Sequence, residues 1–150
     1  MPGTVRFHAG GAALQSALDS LATGYPWLIF YLLPVTALYL VGLITYVRLT
    51  PHKELQLVQN GNMAAAVTFS ALVISLTLPL AACLVHKVNL WDTTIWAAIS
   101  LALQLLLFRV TDAIFKGMPE RIERDEVPAA MVFASFKLAG SILLAFAVAG

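Results

Sequence analysis

Four apolar runs, each long enough to cross a bilayer, leave this chain very few folds. Crossing the hydrocarbon takes roughly 20 apolar residues. Runs of that length lie at Tyr25–Val47, Met63–Val85, Thr93–Phe115 and Val127–Val148. In lipid every backbone N–H and C=O must find a partner inside the protein, so such runs are helices. The reading is an all-α membrane protein with four transmembrane helices. Composition agrees: 60% of residues are hydrophobic and 11% charged, against about a quarter charged in soluble domains. The chain divides into an N-terminal segment, residues 1–24, and one four-helix domain over 25–150.

The N-terminal segment is mildly amphipathic. Leu14, Ala17, Leu18 and Leu21 share a helical face beside Gln15, Asp19 and Ser20. It reads as a short interfacial helix, with the first span starting at Tyr25 and Pro26 in its first turn. Tyr25, Trp27 and Tyr46 lie near the two ends of that span, where aromatic belts form. Asn62 is placed to cap the second span. Asp125, Glu126 and Pro128 open the fourth, with acids at the positive end of the helix dipole. On the third span Ser100, Gln104 and Thr111 fall on one face, which should look at protein or water. Ala64, Ala65, Ala66, Ser70 and Ala71 make a thin face on the second span, and Ala130, Ala134, Ser135, Ala139 and Gly140 another on the fourth. Thin faces let helices approach closely, within a chain or between chains.

The connections carry the orientation. Arg48 and Lys53 lie between spans one and two, and Lys116, Arg121 and Arg124 between spans three and four. The opposite side has only Arg6 and Lys87. By the positive-inside rule both hairpin loops face the cytoplasm and both termini face outside. Two tandem two-helix units, about 25–86 and 91–148, then share one orientation, the parallel kind of repeat. The stretch Gly61–Ser75 aligns with Glu126–Ser141 to within a one-residue gap, and Leu72 stands where the second copy has Lys137.

The loop and helix start TPHKELQLVQNGNMAAAVTFS, followed by LPLAA at Leu78–Ala82, resembles the YjfL-like inner-membrane proteins of bacteria, the domain-of-unknown-function 350 family. Pro51, His52, Glu54, Gln56, Leu57, Asn60, Asn62, Ala64 and Ala65 carry the likeness, which extends over roughly Tyr25–Gly150. The resemblance implies a small, internally duplicated four-helix protein of the bacterial inner (plasma) membrane, and brings no established activity. The second copy departs from the pattern, with Asp125 and Glu126 where the first has Gly61 and Asn62. The two loops are therefore not expected to be equivalent.

Two sets of residues are candidates for function. Lys137 lies ten residues inside the fourth span, about 15 Å down the helix. An ionisable group at that depth costs at least about 2.5–3.5 kcal/mol and is a functional hypothesis by default. Asp112 is its natural partner and Arg109 lies nearby. A Lys137–Asp112 pair with Arg109 would leave one excess positive charge, able to attract an anion or an anionic head group; the alternative is a structural ion pair between two helices. The second set is Glu54, Gln56, Asn60 and Asn62, read as a cytoplasmic loop and helix cap. If the two copies pack about an axis, their loops converge at one mouth.

Other chemistry finds no support. The net charge of +1 does not suit nucleic acid, which needs a dense basic patch. His8, His52 and His86 fall on both sides of the predicted membrane, so no shared metal is expected, and no cofactor is implied. No hydrolase, nucleotide-loop or dithiol motif is present. Cys83, the single cysteine, reads as a small packed side chain. The expectation is a non-enzymatic membrane subunit or scaffold. Its partners are the lipid bilayer and either a second copy (a homo-oligomer, with a dimer favoured) or another membrane protein. The alternative is a small ion channel or transporter built from several two-helix units.

Overall fold

The computed structural model describes residues 5–50, 54–85 and 89–150, with side chains described from residue 11 onward apart from Leu49. Lys53, Lys87, His52 and His86 lie outside these residues, as do the side chains of Arg6 and His8. Among the described residues the elements are all helical: α1 (Val5–Leu49), α2 (Glu54–Gln59), α3 (Met63–Val85), α4 (Leu90–Ile114), α5 (Met118–Glu123) and α6 (Val127–Ala149). Stretches of α1, α3, α4 and α6 are each long and apolar enough to cross a membrane.

α3 and α6 coincide with the second and fourth expected spans to within a residue. α4 begins three residues before the expected start, because Asn89 caps it and accepts the Asp92 N–H at 2.8 Å. The connections hold more structure than a loop. α2 and α5 are six-residue helices placed just before α3 and α6.

α1 departs furthest from expectation. It is one 45-residue helix running unbroken through Pro26 and Pro34. The segment 1–24 is therefore not a separate interfacial helix within the described residues, and Pro26 does not stand in a first turn. A proline removes one backbone bond, and the Ala- and Leu-rich turns on either side keep the helix going. Every residue from Gly11 to Phe30 is exposed. Packing begins near Leu32, which with Val35 and Tyr39 lies beside Leu80 and Leu84 of α3.

α3 and α6 form the central pair, and α1 and α4 pack against it and each other. Small residues make the central contact possible: Ala64, Ala65 and Ala71 of α3 and Ala129, Ala130 and Ala134 of α6 are buried. Most of the two thin faces is thus used inside the chain, while Ser70, Ser135 and Ala139 remain exposed. α1 comes close to α4 at Gly42, where a methyl group would overlap the side chain of Leu101. The apolar core has two parts. One joins Val35, Tyr46, Leu72, Leu76, Leu80, Leu101 and Phe108. The other joins Ala64, Ala65, Met118, Ile122, Ala130 and Phe133 beneath the short helices.

Candidate functional site

The site is built from three sets of side chains spaced by four in sequence, a spacing that is one helical turn on α4 and α6. Tyr46 lies in the last turn of α1, Thr50 just beyond that helix, and Glu54 opens α2. Gln104, Phe108 and Asp112 lie on α4, and Phe133, Lys137 and Ser141 on α6. Where the sets meet, Lys137 is only 2% exposed. Its Nζ pairs with Asp112 Oδ1 at 3.1 Å and donates to the Tyr46 hydroxyl at 2.7 Å. It also lies 4.3 Å from the centre of the Phe133 ring and 4.9 Å from that of Tyr46. Cation–π attraction of this kind is strongest when the charge is desolvated.

The Tyr46 hydroxyl, having accepted from Lys137, donates onward to Glu54 Oε1 at 3.5 Å. Glu54 is itself buried. Burial pushes its carboxyl above the usual carboxylate range; Lys137 pulls part of that rise back and Asp112 adds to it. Lys137, Tyr46, Glu54 and Asp112 border a cavity of about 160 Å³, which Thr50, Arg109, Phe115, Met118, Pro119, Ile122 and Phe133 also line. Its neighbour, of about 150 Å³, shares Tyr46, Thr50, Arg109 and Asp112.

The two candidate sets are therefore not separate. Glu54, read from sequence as part of a loop, joins Lys137, Asp112 and Arg109 around the cavity. Glu54 thus adds a second acid beside Asp112 on the wall that Lys137 and Arg109 share. Arg109 is on the exposed side of α4, facing the cavity from its rim. Gln56 and Asn60 are exposed and take no part in the network.

Asn62 does cap α3: its Oδ1 accepts the Ala65 N–H at 2.7 Å. Its amide also crosses to the other half of the chain and donates to the Ile122 carbonyl at 2.8 Å. Asp125 returns the contact, accepting the Ala64 N–H at 2.8 Å. The turn before α6 thus helps cap α3, and the turn before α3 holds the end of α5. Glu126 makes no side-chain cap of its own helix and pairs instead with Arg121 at 2.6 Å.

Sequence reasoning missed Tyr46, placing it in a membrane-interface belt. It is 5% exposed and stacks edge-on to Phe108 with ring centres 5.5 Å apart. The four-residue spacing to Thr50 and Glu54 is the signal that could have found it. Ser100 and Gln104 are buried, as their shared face suggested, while Thr111 is half-buried and bonds its own helix at the Leu107 carbonyl. Cys83 is buried with Sγ 3.6 Å from Ser100 Oγ.

Comparison with known proteins bears on the same residues. A family described as Domain of Unknown Function (DUF350) matches residues 20–148. UPF0719 inner membrane protein YjfL of Escherichia coli (strain K12) is 32% identical over 106 residues, covering 71% of this chain and 80% of the relative. The protein of the same name from Escherichia coli O157:H7 matches with the same identity and coverage. No solved structure matches the chain. The matched stretch takes in the packed half of α1, all of α2 to α5, nearly all of α6 and every residue of the Lys137 network: the chain belongs to the DUF350 family.

Proposed function

We propose that this chain is a multi-pass protein of a bacterial inner membrane, that it is not an enzyme, and that it moves protons past the Lys137 site. The observation that carries this is the burial of Lys137 among Tyr46, Asp112 and Glu54 beside a cavity. A structural ion pair needs one acid and one base. Here a second acid and a hydroxyl extend the pair into a relay, Lys137 to Tyr46 to Glu54, reaching from the helix interior to the α2 helix. Each titratable group kept at such depth is costly, and proton pathways are a recurrent reason for bearing that cost.

The relay works within a duplicated frame. In the turn before α3 the N–H groups of Asn60, Gly61 and Asn62 donate to the carbonyls of Gln56, Val58 and Leu57. In the turn before α6 those of Arg124, Asp125 and Glu126 donate to Glu120, Ile122 and Arg121, each partner 64 positions later (Gln56 to Glu120). Buried positions instead match at a shift of 65, pairing Ala64, Ala65, Thr68, Leu72 and Leu76 with Ala129, Ala130, Phe133, Lys137 and Ser141 (Ala64 to Ala129). One extra residue at the start of α6 accounts for the difference. We take this as two tandem repeats in parallel orientation, with both short-helix connections cytoplasmic and both termini outside, as Arg48, Lys116, Arg121 and Arg124 suggest.

A second reading, a membrane subunit that assembles with a second copy, is favoured by α1. Leu14, Leu18, Leu21, Tyr25, Leu28 and Leu32 are spaced alternately by four and three residues, and all are exposed. That is the period of a helix pairing with another helix.

Purified protein in liposomes with a pH gradient separates the readings. Proton translocation predicts collapse of the gradient by the wild type and loss of that flux in Lys137→Leu and Glu54→Gln. A wild type that holds the gradient under either polarity ends the translocation reading. A detergent-embedded dimer abolished by Leu18→Asn would support the subunit reading.

A further inference from the structure

The Lys137 network stops at Phe108, and a second polar group lies beyond it. Gln104 of α4 and Ser141 of α6 are fully buried, and Gln104 Nε2 donates to Ser141 Oγ. Among the described residues the amide oxygen of Gln104 is buried with no hydrogen-bond partner, and so is Oγ of Ser75 in α3. Native interiors hold few such atoms, and each calls for an explanation. Because α3, α4 and α6 all touch one another, these polar atoms are enclosed by the bundle and shielded from lipid.

The spacing sets the two polar groups on either side of Phe108. On α4, Phe108 lies one turn from Gln104 and one turn from Asp112. On α6, Lys137 and Ser141 are one turn apart. Two cross-links between the same helices, Asp112–Lys137 and Gln104–Ser141, therefore bracket one aromatic ring. Phe108 is 1% exposed, edge-on to Tyr46, and Lys137 Nζ lies 5.4 Å from its centre. A phenyl ring neither donates nor accepts a proton, so a relay entering through Glu54, Tyr46 and Lys137 ends against it.

We propose that Phe108 is the barrier of a proton path, dividing the charged compartment at Lys137 from a second compartment at Gln104 and Ser141 that binds water. This deepens the translocation reading and rests on it. Water is the occupant that fits, since it can donate to the Gln104 oxygen and exchange hydrogen bonds with Ser141. Movement of the ring would join the compartments. Only O–H and N–H bonds are made and broken along the path, and each site that takes a proton on one side releases one on the other. Small hydrophobic constrictions gate other membrane paths in this way, by excluding water.

The test is dissipation of a pH gradient in liposomes, read by an enclosed pH-sensitive dye. Phe108→Ala is expected to speed collapse at least about tenfold over the wild type, as removal of a dewetted constriction should. Phe108→Leu, which keeps apolar bulk, is expected to match the wild type. Adding Gln104→Leu to Phe108→Ala is expected to restore the slow rate. A Phe108→Ala rate equal to the wild type, or a fast rate that survives Gln104→Leu, overturns the proposal. Hydration is read independently in a Cys83→Ala background carrying Ser141→Cys. A small water-soluble thiol reagent should label that cysteine faster with Phe108→Val than with Phe108, and equal labelling overturns the proposal even if Phe108→Ala fails to fold. A wild type that holds the gradient while Phe108→Ala loses it would end the reading of native translocation and leave the barrier standing. Wild-type flux untouched by either substitution would do the reverse.

Discussion

The turns before α3 and α6 have the same backbone and different side chains. Gly61 takes the left-handed conformation at φ 85°, where it meets no steric penalty, and Asp125 takes it at φ 60°. For a residue with a Cβ that conformation costs roughly 1–2 kcal/mol, somewhat less for Asp and Asn. Asp125 recovers the cost through a side-chain bond that glycine cannot make, to the Ala64 N–H across the bundle. Asn62, one position on from Gly61, works in both directions, capping α3 and holding the Ile122 carbonyl. Glu126, in the equivalent place, does neither. Matching backbone has thus been divided by labour, and the same division extends inward. Tyr46 and Glu54 come from α1 and α2, Asp112 and Lys137 from α4 and α6, and the buried Leu72 of α3 stands 65 positions before Lys137.

The comparison can be broken first at the charges. Asp112→Asn takes from the buried Lys137 its ion-pair partner and should cost about 1.5–3 kcal/mol of stability, less than a fully buried pair would lose, because the Asp112 side chain is 33% exposed. Lys137→Leu combined with Asp112→Leu, which makes this half resemble Leu72, should be close to neutral or stabilising by the same principle. Denaturant midpoints in detergent micelles read both, and an unchanged midpoint in Asp112→Asn would show that the pair bears no weight. Next come the two equivalent turn positions. Asn62→Ala should cost about 1–2 kcal/mol as a lost cap, whereas Glu126→Ala should stay within about 0.5 kcal/mol, because its ion pair with Arg121 is exposed. Equal losses at the two would mean that the turns share the work evenly. At the left-handed positions, Gly61→Ala should cost about 1 kcal/mol, and Asp125→Gly, losing a bond while relieving strain, should change stability by no more than about 0.5–1 kcal/mol.

The most subtle effect is on pH. The folded state holds the Glu54 carboxyl above its ordinary value of 4.5, so folding favours the protonated form. That stabilisation is fully present below pH 4.5 and is lost as pH rises through the raised folded value. Lys137, Asp112, Tyr46 and Arg109 are the groups facing it around the cavity. Melting temperature should therefore fall with pH across that window in the wild type and fall less in Glu54→Gln. A wild type whose pH profile overlays that of Glu54→Gln would remove Glu54 from the network.

Hydrophobic length alone placed α3 and α6 almost to the residue, because a membrane span is set by the solvent it must cross. The pairing of Lys137 with Asp112 was legible for a related reason: few other groups at that depth could balance the charge. Tyr46 was not legible, since an aromatic residue near a span end has an ordinary membrane-interface reading, and only tertiary packing turns it inward. Glu54 was read as loop because α2 is a six-residue helix, too short for its apolar spacing to declare it. The cross-bundle bonds of Asn62 and Asp125 depend on where two distant turns meet, which no local pattern encodes.

The unbroken run of α1 has a consequence for depth. Forty-five residues rise about 67 Å at 1.5 Å per residue, while a bilayer with its head groups is about 40–45 Å thick. Even at a tilt of about 40°, the steepest usual for such helices, the straight helix still projects about 51 Å along the membrane normal. The helix is a measuring rod too long for what it measures. A straight α1 therefore leaves its first turns outside the hydrocarbon, and a polarity-sensitive probe at Leu14 should report head groups or water while one at Leu40 reports lipid.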